Sequence, residues 1–286
     1  MDFVGFVDVI GANSGKVPAV PALKIIALYA TGSGIIEETA AEIARFRNAG
    51  VGVVLIDQTP SQSVLAAGLA DIGDIESLAG TYTAAAAACK ARAKHGWQTT
   101  LYVGYDNLDA LRSALGSAGV DMNLVQFGVA DYNWSVETAE SYLNGNADWA
   151  YCQYGDNITN ADTKIPGTDT TCGEAACDID VAKATWANQF LPKAPVSAFP
   201  TPAGLSQTPW PATVDFGWGA TADATAYHLQ VAGDESDAIL LDVRVSANHY
   251  HGLKLPTGTY KWRVAVDAAN GHESSSWTAF HVFTIM

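Results

Sequence analysis

The stretch "DIGDIES", residues 71–77, packs three acids into a turn-like segment of a chain otherwise rich in apolar and small residues. It can be a solvated loop, the acidic start of the helix that follows, or a pair of carboxylates at the end of a strand. The run leading into it, "AAGLADIG" (66–73), reads as a poor strand. If the segment is extended, Asp74 and Glu76 stand two apart and leave the same face, whereas on a helix they diverge. Acids are favoured at a helix N-terminus, but Thr83 is a better N-cap for the helix expected through Ala84–Lys94. Asp71 reads as solvated flank.

On either side of this stretch, short apolar runs alternate with helical patterns. The runs "FVGFVDVIG", "KIIALYA", "VGVVLID", "TTLYVGY", "LVQFGVA" and "WAYCQY" read as strands, and "EETAAEIARFRNAG", "TYTAAAAACKARAKHG", "LDALRSALGSAG" and "SVETAESYL" as helices between them. Three helices are expected to stop at Gly50, Gly96 and Gly119. The alternation predicts an α/β domain over residues 1–192 with a parallel sheet closed into a TIM-like (β/α) barrel. Residues 193–205, "KAPVSAFPTPAGL", concentrate proline, alanine and glycine without periodicity and read as a linker. Beyond it, residues 206–286 carry six short alternating runs with turns such as "PTG" and "ANG", the pattern of an all-β sandwich. With Trp218 early in the pattern and Leu255 and Tyr260 in "LPTGTYKWRV", this part resembles a fibronectin type III module.

The 286 residues carry 15 Lys+Arg against 30 Asp+Glu, a formal charge of -15. That balance argues against nucleic acid and anionic membranes as partners, since both reward clustered basic residues. The N-terminal "MDFVGFVDVIGANSG" lacks the basic region and apolar core of a secretory signal, and no apolar run reaches the ~18 residues of a membrane helix. Synthesis in the cytoplasm without a signal peptide is expected. Of the four cysteines only Cys172 and Cys177, flanking "CGEAAC", look pairable, and their spacing leaves open whether they are bridged. No ligand set for zinc stands near them, and neither a metal nor a cofactor is expected.

In a β/α barrel the polar residues at the C-terminal ends of strands face the active-site mouth. Those ends supply Asp8, Asp57 with Gln58, Asp74 and Glu76, Asp106, Asp131, Gln153 with Tyr154, and Asp178 with Asp180. Acids recur and bases do not, which suits a neutral polyhydroxyl ligand or a cation better than a phosphate. Two carboxyls about 5–9 Å apart, one kept protonated by its acidic neighbours, are what a glycosidase requires.

Taken in order, "FVDVIGANSG", "VVLIDQTP", "DIGDIESLAGTYTAAAAACKARAKHG", "TLYVGYDNLDAL", "QFGVADYNWS", "AYCQYGDN" and "CDIDVAKATWANQFL" resemble the glycoside hydrolase barrels related to family 25 lysozymes, in the divergent forms of actinobacteria and their phages. The resemblance implies hydrolysis of the N-acetylmuramyl to N-acetylglucosamine β-1,4 bond of peptidoglycan. It implies Glu76 as general acid, with Asp74, Asp8 and Asp131 as the other catalytic acids, and Asp57, Tyr102, Gln153, Tyr154 and Asp178 as substrate contacts. The expected partner is cell-wall polysaccharide or another glycan, together with other virion proteins if the chain belongs to a phage particle. A barrel that binds wall glycan without cleaving it, as a virion or tail surface component, is the alternative expectation.

Overall fold

The structure is a computed structural model that describes residues 2–9, 17, 23–30, 40–75, 81–156, 164, 177–191, 204–206, 212–221, 224, 226–234, 238–267, 275 and 277–285. The chain divides into two compact units, Met1–Leu191 and Pro192–Met286.

In the first unit eight strands close into a barrel in sequence order: β1 (Phe3–Val9), β2 (Ile25–Tyr29), β3 (Gly52–Asp57), β4 (Ile72–Asp74), β5 (Thr99–Gly104), β6 (Val125–Ala130), β7 (Trp149–Asp156) and β8 (Cys177–Lys183). Strands β1 to β7 run parallel, and β8 runs antiparallel to both β7 and β1. The helices are α1 (Ala40–Asn48), α2 (Ser63–Ala66), α3 (Thr81–Ala93), α4 (Leu108–Ser117), α5 (Val136–Gly145) and α6 (Ala184–Ala187). Over the described residues of both units together, strand makes up 44% and helix 27%. The expected TIM-like (β/α) barrel is wrong: this is an eight-stranded mixed β-barrel, with β8 antiparallel to both its neighbours. The miss came from "CDIDVAK", whose alternating acids hid a strand. A parallel neighbour needs a long crossover, whereas an antiparallel one does not, and β8 closes the ring by pairing antiparallel with both β7 and β1.

The parallel strands are almost wholly buried because both of their faces are covered. Outward positions such as Val7, Ile26, Val53, Leu55, Leu101, Val103, Phe127 and Val129 join Leu111, Leu115, Ala139 and Leu143 of the helices in one apolar layer. Inward positions Phe6, Ile25, Ala27, Tyr29, Val54, Ile56, Ile72, Tyr102 and Tyr151 form a second. Trp186 and Phe190 belong to this inner cluster and pack edge to face with ring centroids 4.8 Å apart. Trp186 also donates its indole N–H to Thr100 Oγ1 at 3.0 Å inside the barrel. The glycines expected to stop α1, α3 and α4 have φ of 80°, 72° and 71° at Gly50, Gly96 and Gly119, a region where glycine costs least. Helix α3 starts at Thr81, so Thr83 lies inside its first turn and is not its cap.

The segment around "DIGDIES" is tied down from both sides. Asp71 is buried rather than solvated: its Oδ2 accepts from Leu55 N at 2.8 Å, and its own N–H donates to Leu55 O at 2.7 Å. Arg92 of α3, fully buried, donates to the carbonyls of Leu65, Ala70 and Gln98 at 2.9–3.2 Å. Burial pulls its pKa down and the Asp71 charge pulls it back up. These contacts fix the chain on entry to β4, which pairs with β3 and β5 despite its three-residue length. Gly73 is required there, since a Cβ would run into the Gln62 amide oxygen and come within 2.7 Å of Leu65 Cδ2.

The second unit is a two-sheet sandwich. Strand β9 (Gly204–Ser206), whose first two residues the sequence reading gave to the linker, pairs parallel with the last strand. The others are β10 (Ala212–Gly217), β11 (Ala226–Gly233), β12 (Ile239–Val245), β13 (His249–Leu255), β14 (Gly258–Asp267) and β15 (His281–Ile285). The sheets are β10-β13 and β12-β11-β14-β15-β9, and their facing sides share a core of Val214, Phe216, Trp218, Leu229, Trp262, Val264 and Phe283. Tyr260 turns its hydroxyl back to Pro256 O at 2.8 Å, a tyrosine corner. Among the described residues no helix is long and apolar enough to cross a membrane. Cys89 and Cys152 are buried free thiols and Cys177 is disulfide-bonded, while Cys172 and most of the segment read as a linker lie outside the described residues.

Replacing Arg92 by Met leaves buried carbonyls without a donor and Asp71 without its cation. We expect a loss of at least ~3 kcal/mol in barrel stability, read as a lowered urea midpoint of the barrel transition with the sandwich transition unchanged.

Candidate active site at the barrel mouth

Register decides which strand-end residues enter the barrel, because directly paired residues share a face. Asp8 on β1 pairs with Ala27, an inner-layer residue, and with Asp178 on β8. Asp180, two residues on, pairs with Phe6 and with Gln153 of β7. Asp74 on β4 pairs with Tyr102 of β5, and the Tyr102 hydroxyl hydrogen-bonds Gln153 Oε1. Asp8, Asp74, Tyr102, Gln153 and Asp178 are thus brought to the inner face, and with them Asp180, Tyr29 and Tyr151.

Asp180 is the centre of this group. It is 0% exposed, and neither carboxylate oxygen has a hydrogen-bond partner among the described residues. Burial first, then the neighbouring Asp8 and Asp178 charges, push its carboxyl well above the usual range, which favours its protonated form. Tyr151 lies among the same groups: burial, then Asp180, Asp8, Asp74 and Tyr29, drive its hydroxyl well above the ordinary tyrosine value. Its ring lies over Gly128, where a Cβ would collide with it, and against Phe6 and Trp186 at 5.3 and 5.2 Å between centroids. These aromatic rings supply low-dielectric surroundings that favour the protonated form of Asp180.

The remaining acid is more open. Asp74 is half-buried; its Oδ2 accepts from Gln58 Nε2 at 2.9 Å, and its carbonyl accepts from Gln62 Nε2 at 3.1 Å. Gln62 also donates to Thr59 O at 2.8 Å from a left-handed backbone, φ 51°, so a strained residue fixes the height of Asp74 in the mouth. Gln153 is held on both sides, with Tyr102 on its carbonyl oxygen and Tyr132 Oη receiving its N–H at 2.9 Å. Tyr132 in turn borders a surface cleft of about 280 Å³, lined by Tyr105, Asp106, Asn107, Asp131 and Asn133 across the ends of β5 and β6.

Other expected site residues are placed differently. Asp57 pairs with Gly73, on the outward face, and its carboxylate accepts from Thr59 N, Thr59 Oγ1 and Leu65 N at 2.7–2.8 Å, which anchors α2. Tyr154 packs against the outer apolar layer. Asp131 lines the cleft, and its Oδ1 accepts from the backbone and side-chain N–H groups of Asn133 at 3.0 and 2.9 Å, a local turn. Glu76 lies outside the described residues. Asp74, by contrast, stands in a strand and caps no helix. The sequence reading placed Asp180 and Gln58 among the strand-end residues facing the mouth without a catalytic or binding role, and did not single out Tyr29, Tyr151 or Tyr132; the i, i+2 spacing of Asp178 and Asp180, and of Tyr151 and Gln153, is the signal that places each pair on one face. Among the described residues no three His, Cys, Asp or Glu side chains converge on a metal position.

No protein-family model matches the chain, and no curated protein matches its sequence. Solved structures similar to part of it include a Fn3-like protein from Clostridium thermocellum, 13% identical over 33% of this chain and 94% of that one, with a TM-score of 0.25. The fn3 domain of human collagen alpha-1(XX) chain is 22% identical over 33% and 86%, with a TM-score of 0.26. The glycoside hydrolase domain of Endo-D from Streptococcus pneumoniae R6 is 18% identical over 39% and 18%, with a TM-score of 0.24.

Because Asp180 binds its proton more tightly folded than unfolded, the folded state carries the extra proton above the unfolded pKa of about 4. Stability therefore falls as pH rises above that value, by up to ~1.4 kcal/mol per unit until the folded pKa is passed. Asp180→Asn is expected to remove that slope and to raise stability at pH 7, measured as urea midpoints from pH 4 to 8.

Proposed function

We propose that the barrel is a glycoside hydrolase-like module of muramidase type that acts on the peptidoglycan of a bacterial cell wall. The observation that carries this reading is the meeting of Asp8, Asp74 and Asp180 with Tyr102, Tyr151 and Gln153 at one end of a closed barrel, where the described groups that act on Asp180 and Tyr151 are acids and a tyrosine. Such a site repels anions and offers neutral hydrogen-bonding groups to sugar hydroxyls. Its carboxylates suit the positive charge that develops at an anomeric carbon.

Within this reading Asp74 is the accessible carboxylate, oriented by Gln58 and Gln62 to face the anomeric carbon or the acetamido group of the substrate. Glu76 keeps the general-acid role that the resemblance gives it, protonating the leaving oxygen. Asp180, pushed up by burial and then by the neighbouring Asp8 and Asp178 charges, favours its protonated form. Tyr105 and Tyr132, both well exposed, border the neighbouring cleft as surfaces for sugar rings. The β-sandwich serves as a fibronectin type III-like module, and the actinobacterial or phage setting belongs to the same proposal, with the protein acting at the wall or in a particle.

A second reading, wall binding without cleavage by a virion or tail surface component, is favoured by the depth of two of the acids: Asp8 is 7% exposed and Asp180 not at all. Muropeptide release from purified walls separates the two. The hydrolase reading expects release by the wild type, reduced about 10²-fold or more in Glu76→Gln and in Asp74→Asn. Equal release by wild type and Glu76→Gln sinks it, and wall binding with no release by any form supports the second reading.

A further inference from the structure

The strand β13 of the sandwich opens with "HYH", so His249 and His251 leave the same face two residues apart. Both are exposed, and their ring centroids lie 4.6 Å apart at an interplanar angle of 44°. Across the sheet, Asp215 of β10 reaches His251: its Oδ2 lies 3.2 Å from Nδ1. The other oxygen of Asp215 accepts the Gly252 N–H at 2.9 Å, so the carboxylate is fixed by the backbone next to the ring it orients. A carboxylate on Nδ1 directs the proton there and leaves Nε2 with its lone pair free, the arrangement seen behind metal-bound histidines.

We propose that His249 and His251 form a two-imidazole site for a divalent transition metal ion of the Cu²⁺ or Ni²⁺ type, with Asp215 as the orienting group behind His251. The geometry supports this class. A metal at roughly 2.0–2.1 Å from each ring nitrogen sits about 3.2 Å from each centroid. Centroids 4.6 Å apart then subtend an angle of about 90° at the metal, the cis angle of tetragonal or octahedral coordination rather than the wider tetrahedral one. Imidazole is a good donor for both ions. With two protein donors the other positions fall to water or to donors from a bound molecule, in keeping with the lack of any three-ligand cluster among the described residues. The net charge of -15 raises the local cation concentration.

Isothermal titration of the full chain with Ni²⁺ at pH 7.5 tests this. We expect one saturable site per chain, lost in His249→Ala and in His251→Ala and weakened about 10-fold in Asp215→Asn, while His95→Gln in the barrel binds as wild type. All the substituted side chains of the sandwich are exposed, and unchanged melting curves in EDTA show that the variants fold. Cu²⁺ bound to the wild type is expected to show superhyperfine coupling to two nitrogens in its electron paramagnetic resonance spectrum. Absence of saturable Ni²⁺ binding, or binding that survives both histidine substitutions, overturns the proposal.

Discussion

The antiparallel strand β8 is the constraint on which the barrel and its mouth both depend. By pairing with β1 on one side and β7 on the other, it closes the ring and sets Asp178 opposite Asp8 and Asp180 opposite Gln153. Like charges placed directly opposite on neighbouring strands destabilise a sheet, and here Asp8 faces the half-buried Asp178, with the fully buried Asp180 two residues further on. Burial and the neighbouring Asp8 and Asp178 charges push Asp180 toward its neutral, protonated form, which eases that repulsion. The same step that closes the fold therefore creates its most unusual chemistry.

The opposite side of the barrel is organised by a buried charge pair of another kind. Asp71 and Arg92 do not face the mouth; they lock the β3–β4 connection and so determine where Asp74 emerges. Gln62 completes this support from a backbone conformation that is unfavourable for a side chain-bearing residue. Acids that hold the frame and an acid that faces the barrel interior are thus interleaved within a few residues: Asp57 and Asp71 look outward, and Asp74 looks inward.

Much of this was legible in the sequence, and the rest was hidden for physical reasons. The six long apolar runs of the barrel and the six alternating runs of the sandwich announce themselves because burial on two faces or on one leaves a clear pattern. Strand β4 is too short for any periodicity, and its Gly73, which made "AAGLADIG" look unlike a strand, is there because Gln62 and Leu65 occupy the space of a Cβ. The rule that strand ends line the mouth retrieved Asp8, Asp74, Gln153 and Asp178, with Tyr102 added by the resemblance, but it is blind to parity. Asp57 ends its strand as Asp74 does, and only the pairing register turns one out and the other in. Asp180 stood among the strand-end acids without a role, because its place on the inner face follows only from the pairing of its strand with β1 and β7.

The thiols of the barrel carry a practical consequence. Burial pushes Cys89 up to about 11 and raises Cys152 further still, so neither is a nucleophile while the fold holds. Cys89 sits on α3 within the outer layer, and Cys152 sits on β7 beside the strand that closes the ring. Their alkylation rates therefore act as two separate clocks, one for the lifting of a helix and the other for the parting of the final seam, in a protein left otherwise unaltered.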